Sequence, residues 1–388
     1  MPDAGEEKYS IEIIGEIGKI DAADWDACAG PDNPFLSHAF LSALEDSGCA
    51  TAEQGWMPYH VAVRDEAKTL QACAPLYVKS HSYGEYMFDW GWADAASRAG
   101  IPYYPKLQCA VPFTPATGPR LLIRPGADRD RMTDLLLGGM VEIADQLKLS
   151  SVHITFLTEQ EWAHAGNAGL LQRIGQQFHW ENRGYATFED FLGDLSSRKR
   201  KTIRRERRDA ERHDLKISNL TGDDLKPGHW DAFYRFYMAT IDKKWSQDYL
   251  NLDFFHILGE RLPDRAMLVY AEMDGAPVAG ALNLIGSDTL YGRNWGSLGD
   301  FRFLHFECCY YRAIDFAIER GLKWVEAGAQ GQHKIQRGYL PRKVRSVHWI
   351  ADPRMRHAIA DFVHREARQI EHDMKVLETE FSPFRNED

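Results

Sequence analysis

The pattern of apolar and polar residues predicts the same arrangement of strands twice along the chain. The stretches that begin at His60 and Leu268 each contain an apolar strand, a short polar turn, a second apolar strand and a third strand that ends in Trp-Gly. Short apolar runs separated by polar turn residues are typical of antiparallel strands. The sequence therefore predicts a three-stranded meander in each half of the chain.

Each predicted meander is followed by a helix and then by one more strand. In the first half the helix runs from Met132 to Leu147 and precedes the strand SVHITFL. In the second half it runs from Leu304 to Glu319 and precedes the strand KWVEAGA. Apolar residues of the second helix recur with a period near 3.6, which is typical of a helix that packs on a sheet.

Further helices are predicted before each meander and at the end of the chain. Asp21 and Ser37 are predicted N-caps in the first half, and the segments HWDAFYRFYMATIDKK and LDFFHILGERL are predicted helices in the second. One long basic helix is predicted from Phe188 to His213, and a long amphipathic helix covers residues 353–380.

These elements divide the chain into two predicted domains of similar order. The first covers residues 1–177 and the second covers residues 178–388. The C-terminal helix is expected to pack back on the first domain.

This order of elements is that of the GNAT acyltransferase fold. The sequence predicts an α/β (α+β) protein with two tandem GNAT-like domains, each a mixed, mainly antiparallel sheet flanked by helices. In that fold the fourth and fifth strands splay apart and admit a pantetheine-like arm, and the next helix directs backbone N–H groups at a pyrophosphate. Here the fourth strand is TLYGRNWG. Gly296 and Gly299 are candidates for bringing backbone N–H groups to an anion, or they form an ordinary strand-to-helix turn.

Composition narrows the class of protein. The 388 residues are 44% hydrophobic and 27% charged, as in soluble globular chains. Neither a membrane-spanning apolar run nor a secretory signal is apparent, so the sequence predicts a cytoplasmic protein, with peripheral contact at the inner membrane left open. Six cysteines without metal-ligand spacing predict neither a disulfide framework nor a metal site.

Charge is unevenly distributed along the chain. The net charge is −11, yet the segment Arg198–Arg208 alone carries +7, which leaves −18 for the remainder. An acidic body repels nucleic acid, so no DNA partner is expected and a broad tRNA footprint is disfavoured. The basic segment is either a solvated helix face or a contact for phosphates through residues such as Arg200 and Arg204.

Candidate catalytic residues lie in the second half. Acylation of an amine requires a base for the attacking nitrogen and donors for the oxyanion. Glu326 on the strand KWVEAGA, His333 on the loop beyond it and His305 at the start of the preceding helix are candidate bases. Each also has a structural alternative: a paired carboxylate, a solvated loop histidine, or a residue used in capping and packing.

Residues around these bases are candidates for donor contacts. Lys334 and Arg337 follow His333 and would present two cations to one anion. Arg293 and Asn294 end the fourth strand, and the backbone from Asn294 to Gly296 is the candidate oxyanion donor.

Several longer strings carry a resemblance to a known family. They are NPFLSHAFLSALEDSG, YGEYMFDWGWADA, YYPKLQCAVPFTPATGPRLL, SSRKRKTIRRERR, YGRNWG, LHFECCYYRAIDFAIERGL and EAGAQGQHKIQRGYLPR. In this order they are similar to the FemAB-like family of the GNAT superfamily, commonly labelled peptidoglycan biosynthesis or recognition. The resemblance implies that positions in the first-half strings hold the acceptor, namely Asp89, Trp92, Asp94, Lys106 and Arg120.

The resemblance implies an acyl-transfer reaction but leaves the donor open. Fem proteins use aminoacyl-tRNA to extend a peptidoglycan stem peptide, and some GNAT-type branches are thought to N-acylate a lipid amine with acyl-CoA. The stretch RNWGSLG has one residue too many for the usual acetyl-CoA signature of GNAT enzymes.

We expect an N-acyltransferase with no permanently bound cofactor. Its co-substrate is expected to be an acyl-CoA, long-chain donors included, and its acceptor a small or lipid-linked primary amine such as a sphingoid-like amine. The alternatives are a Fem-type aminoacyl-tRNA-dependent transferase and a non-catalytic module that binds a precursor.

Overall fold

Two separate stretches of chain make up each half of the molecule. A computed structural model describes residues 8–211, 215–244, 247–328 and 331–385, without the side chains of residues 244 and 332. Unit 1 consists of Met1–Gly175 with Val344–Gln369, and unit 2 consists of Gln176–Lys343 with Ile370–Asp388. Residues 344–369, which the sequence analysis assigns to the second domain, therefore cluster with unit 1.

Unit 1 contains two sheets and five complete helices within its described residues. Its strands are β1 (Ser10–Ile14), β2 (Trp56–Pro58), β3 (His60–Arg64), β4 (Leu70–Ala74), β5 (Leu76–Lys79), β6 (Lys106–Cys109), β7 (Leu122–Ile123) and β8 (Ser151–Thr155). Its helices are α1 (Ala22–Ala29), α2 (His38–Asp46), α3 (Trp90–Arg98), α4 (Arg129–Gln146) and α5 (Glu159–Asn167). Asp21 and Ser37 cap α1 and α2 through side-chain hydrogen bonds, which confirms the predicted N-caps.

Unit 2 contains one sheet with helices before and within it. Its first helices are α6 (Phe188–Asp194), α7 (Ser197–Glu211), α8 (Pro227–Lys244) and α9 (Leu252–Arg261). A further helix begins as α10 (Leu304–Phe306) and continues through a π-helical turn (Glu307–Tyr311) into α11 (Arg312–Glu319). Its strands are β10 (Leu215–Thr221), β11 (Ala266–Met273), β12 (Ala276–Ile285), β13 (Thr289–Ser297) and β14 (Trp324–Glu326), and a 3-10 helix covers Gln332–Arg337.

Three elements begin in one unit and end in the other. They are β9 (Leu171–Glu181), β15 (Leu340–Ile350) and α12 (Pro353–Glu380).

The sheets are mixed and mainly antiparallel, as predicted. In unit 1 the order is β1-β3-β4-β7 in one sheet and β15-β8-β6-β5-β2 in the other, and β6 and β8 pair in parallel. In unit 2 the order is β10-β11-β12-β13-β14-β9, and only β13 and β14 pair in parallel. The meander β11-β12-β13 followed by helix and strand confirms the GNAT-like order expected for the second half.

Two predicted elements differ from the structure. The third strand of the first meander does not extend to Trp-Gly, because β5 ends at Lys79 and α3 begins at Trp90. Trp92 and Ala96, four residues apart, are both buried on one face of that helix, which favours helix over strand. The predicted basic helix Phe188–His213 is two helices, since the backbone of Leu195 is extended. His213, its predicted end, lies outside the described residues.

The core of unit 2 lies between its sheet and the helices α6, α7 and α11. It includes Trp180, Phe191, Ile203, Tyr311 and Val325, all buried. No helix in the described part of the chain combines the length and apolar character needed to cross a membrane.

Helix α8 approaches β13 so closely that one position admits no side chain. A Cβ atom on Gly296 would lie 1.9 Å from the carbonyl oxygen of Phe236 in α8. The contact is with backbone, which cannot turn aside as a flexible side chain can. Gly296 is therefore required by packing whatever else it does.

We predict that Gly296→Ala destabilises the protein by about 1–3 kcal/mol or more, because helix and strand must move apart. Urea unfolding followed by circular dichroism measures the change. Gly228→Ala is the matched control, since a Cβ at this exposed position near the start of α8 meets nothing within 4 Å. Equal stability of both variants and the wild type would contradict the packing role of Gly296.

Candidate functional site

The parallel strands β13 and β14 separate soon after they meet. Their pairs are Thr289 with Trp324, Leu290 with Val325 and Tyr291 with Glu326. Strand β13 continues to Ser297, whereas β14 ends at Glu326. The pairing of β13 with β14 therefore ends where the GNAT-like order predicts a gap between these strands.

A β-bulge lies on the β13 side of this gap. Asn283 of β12 faces Gly292 and Leu282 faces Asn294, so that Arg293 is the extra residue of the bulge. A bulge bends the strand and changes the direction of its backbone groups. The candidate residues Arg293 and Asn294 thus lie where β13 turns away from β14.

Aromatic and histidine rings cluster beyond the ends of these strands. The Tyr310 hydroxyl lies 3.0 Å from Nε2 of His333. The ring of His305 lies 6.2 Å from that of His333 and 5.4 Å from that of Trp295. The structure therefore brings together both histidines that the sequence analysis selected, and adds Tyr310, which it did not.

The electrostatic surroundings favour a neutral His333. Partial burial lowers the pKa of His333, and the positive charges of Arg337 and Lys334 lower it further. Burial raises the pKa of the Tyr310 hydroxyl, which therefore keeps its proton. A neutral imidazole with one nitrogen on a hydroxyl group can accept a proton at neutral pH.

Glu326 lies beside a different histidine. Its side chain is nearly buried, and Oε1 is 4.0 Å from Nε2 of His179. Burial lowers the pKa of His179 to about 3, so the ring is neutral and this contact is not an ion pair. Val325 belongs to the core of unit 2, and Glu326 therefore projects from the opposite face of the sheet.

Lys334 and Arg337 are both bound to protein groups. The Lys334 ammonium donates to the carbonyls of Ala327 and Gly328, the first residues beyond β14. Burial lowers the pKa of Lys334 to about 8. Arg337 binds both oxygens of Glu206 at 2.8 and 2.9 Å. These contacts occupy the two cations that the sequence analysis assigns to a phosphate.

The loop after β13 has local hydrogen bonds of its own. The N–H of Gly299 donates to the Ser297 hydroxyl at 3.4 Å, and that hydroxyl donates to the Gly299 carbonyl at 2.7 Å. Phe303 precedes α10 with a left-handed backbone, φ 64°.

Several arginines of the basic helix α7 bind acidic side chains or backbone carbonyls of unit 2. Arg207 binds Glu307 and Asp315. Arg204 pairs with Glu189, and Arg200 donates to the carbonyls of Leu192 and Leu195. The candidates Arg200 and Arg204 therefore already have partners.

A second polar cluster is buried in unit 1 around Lys106. Its ammonium lies 2.5 Å from Oδ2 of Asp89, 2.8 Å from Oε2 of Glu85 and 2.9 Å from the Ser82 hydroxyl. The Tyr103 hydroxyl donates to the same Asp89 oxygen at 2.5 Å. Lys106 is fully buried, and Asp89 is 3% exposed.

Two neutral histidines lie next to the Lys106 cluster. Nδ1 of His153 is 2.6 Å from Nδ1 of His348, and the Trp92 ring packs edge-on against His348 at 4.8 Å. Burial lowers the pKa of His153 to about 3 and that of His348 well below its usual value. The structure thus brings Asp89, Trp92 and Lys106 together.

The other two first-half candidates are engaged differently. Asp94 is exposed and pairs with Arg98 one turn further along α3. Arg120 is buried and donates to the carbonyls of Ala116, Gly118 and Pro119, which fixes a loop.

Sequence reasoning missed several residues of these clusters. Four of them lie in or next to the Lys106 cluster: Glu85, Tyr103, His153 and His348. The fifth, Tyr310, lies beside His333. A histidine in the middle of an apolar strand, as in SVHITFL, is the signal that was available for His153. Glu85 and Tyr103 lie inside the strings that carry the family resemblance.

Solved structures share the fold at low sequence identity. FemX has a TM-score of 0.55 and 12% identity, over 88% of this chain and 98% of its own. The C-terminal domain of a putative lysylphosphatidylglycerol synthetase from Agrobacterium fabrum has a TM-score of 0.54 and 11% identity, over 93% and 98%. L-PGS from Bacillus licheniformis has a TM-score of 0.51 and 10% identity, over 86% and 98%. At such identities the likeness shows the fold alone.

Sequence comparison gives the family. No curated protein matches the chain by sequence. The FemAB-like family, described as peptidoglycan biosynthesis/recognition, matches residues 16–386. Because this match covers nearly the whole length, the chain belongs to the FemAB-like family.

Proposed function

We propose that this protein is an N-acyltransferase that transfers an acyl group from a CoA ester to a primary amine. Family membership and fold support a role of the acyl- or aminoacyltransferase type. The observation that carries the proposal is the end of pairing between β13 and β14, where a gap is expected, with the bulge at Arg293 on one strand and His333 next to Lys334, which contacts the residues beyond the other. The acyl-bearing arm of the donor would enter this gap.

In the proposed reaction the amine nitrogen attacks the thioester carbonyl directly. The C–N bond forms, the tetrahedral oxyanion is held by backbone N–H groups near Asn294, and the C–S bond then breaks to release the CoA thiolate. His333 takes the proton from the attacking nitrogen through Nδ1 when its Nε2–H donates to the Tyr310 oxygen. Glu326 is the second candidate base.

Charge favours a CoA ester over charged tRNA as the donor. A tRNA needs an extended basic surface, whereas the chain carries −11 overall and α7 uses Arg200, Arg204 and Arg207 in contacts within unit 2. A CoA ester needs contacts for only a few phosphates. We assign Arg293 to them because it is the extra residue of the bulge beside the proposed donor site.

One observation favours a second candidate. The family description names peptidoglycan biosynthesis, which fits a Fem-type transferase that takes an aminoacyl group from tRNA to a peptidoglycan precursor. The same gap and base would serve that reaction, so the donor distinguishes the two candidates.

We predict that the full-length protein binds palmitoyl-CoA in calorimetric titration and that Arg293→Glu weakens this binding at least tenfold, because it reverses a charge beside the donor phosphates. Lys216→Glu on the edge strand β10 is the control with the same charge change, and it should bind as the wild type does. CoA and acetyl-CoA are titrated in the same way. Binding of charged tRNA with no binding of any CoA ester would replace this proposal by the Fem-type reaction. No binding of either would favour a precursor-binding module.

We predict that His333→Ala lowers the rate of acyl transfer from palmitoyl-CoA to octylamine by about 10²-fold or more, the usual contribution of a general base. Release of the CoA thiol measures the rate. Because the pKa of His333 is lowered, protonation of the imidazole should add to the fall in the wild-type rate only below pH 6.5, beyond the fall caused by loss of the neutral amine, and His333→Ala should lack this added fall.

His256→Ala is the matched control, since His256 is a partly exposed histidine of unit 2 that pairs with Asp231. Full activity of His333→Ala would remove this assignment, and Glu326→Gln would then test the second base.

A further inference from the structure

Unit 1 contains a cavity beside the Lys106 cluster that the proposed donor site does not use. Its volume is about 300 Å³, and its lining includes Phe88, Asp89, Trp92, Ile359, Phe362 and Arg365. At about 30 Å³ for a water-sized group, the cavity has room for roughly ten such groups. It is large enough for a small amphiphile.

The acid that lines the cavity has an unused oxygen. Oδ2 of Asp89 accepts from Lys106 and Tyr103, whereas Oδ1 is buried and accepts no hydrogen bond from any described residue. Oε1 of Glu85, the other carboxylate on Lys106, has none either among the residues that the structure describes. Buried carboxylate oxygens normally have donors, so two such atoms in one cluster indicate a missing cation or donor.

Counting charges in the cluster leads to the same conclusion. Lys106 is one cation between two carboxylates. Lys79, whose charge also acts on Glu85, donates instead to the Tyr83 carbonyl and lies over the Trp56 ring. Burial lowers the pKa of Lys79 to about 7 and raises that of Glu85 to about 7.

The walls of the cavity are suited to an apolar chain. Trp92 and Ile359 are buried, and Phe88 and Phe362 at the cavity are 43% and 40% exposed. Arg173, a further lining residue, is held over the Trp92 ring and is neutralised by both oxygens of Glu366. Large exposed aromatic side chains at the edge of a cavity are typical of a binding site.

We propose that this cavity binds a protonated primary amine that carries an apolar chain, with the ammonium on Asp89 and the chain against Trp92, Ile359 and Phe362. The ammonium supplies donors to Oδ1 and balances the second carboxylate of the cluster. The binding of this amine does not depend on the proposed function.

The test is calorimetric titration of the full-length protein, without any acyl donor, with octylamine, octanol and octanoate. These probes share one chain and differ in the charge of the head group. Octylamine should bind at least tenfold more tightly than octanol, and octanoate should bind more weakly than both. Equal binding of octylamine and octanol would overturn the proposal. Preferential binding of octanoate that is lost in Arg365→Ala would also overturn it and would identify an anion site.

Two variants locate the binding site. Asp89→Asn keeps the shape of the side chain and should weaken octylamine binding at least tenfold, whereas the control Asp145→Asn, at an exposed position of α4, should leave it unchanged. Ala358→Phe should fill the cavity and block binding without altering the polar cluster, so a folding defect of Asp89→Asn does not prevent the test. Octylamine binding that survives both Asp89→Asn and Ala358→Phe would overturn the assignment.

The result is independent of the donor experiment. Binding of octylamine by a protein that binds no CoA ester would retain the amine site and reject the acyltransferase proposal. Binding of palmitoyl-CoA without octylamine would do the reverse.

Discussion

The parting of β13 and β14 after Tyr291 and Glu326 is the feature on which unit 2 depends. A sheet that opens in its interior exposes backbone N–H and C=O groups, and each of these needs a new partner. The Lys334 ammonium binds the first two carbonyls beyond β14, and the bulge at Arg293 turns the opposite strand away. Lys334 and His333 are neighbours on the same 3-10 helix. The contacts that fix Lys334 at the open end of the sheet therefore also position His333, the candidate base.

Buried acids explain why the basic helix contributes less positive charge to the surface than its sequence suggests. Arg207 of α7 binds Glu307 and Asp315, and Glu206 of the same helix binds Arg337. Removing one member of such a buried pair leaves an isolated charge, at a cost of about 3–5 kcal/mol. These contacts are therefore part of the packing of unit 2. The arginines that remain exposed on α7 suit a few phosphates better than a long polyanion.

The regular elements followed from local pattern, and the errors came from contacts distant in sequence. The meander β11-β12-β13 and the caps Asp21 and Ser37 depend on residues a few positions apart, so they were predictable. The repeated meander predicts a strand that ends at Trp90-Gly91, yet Asp89 there accepts from Lys106 and Tyr103 in a loop. The sequence gives the type of each candidate residue but not its contacts. Arg337, for example, binds Glu206, which lies 131 positions away in the chain.

The two units differ in how their buried charges are balanced, and this difference bears on function. In unit 2 Glu206 and Glu307 each have a guanidinium. In unit 1 Lys106 is shared by Glu85 and Asp89, and each of those carboxylates keeps one oxygen without a hydrogen bond from the described residues. For stability alone, an amide in place of one acid would avoid burying the second charge while keeping an acceptor for Lys106. The proposed ammonium ligand would supply the cation that this cluster lacks, which would explain why two acids, and not an acid and an amide, lie around Lys106.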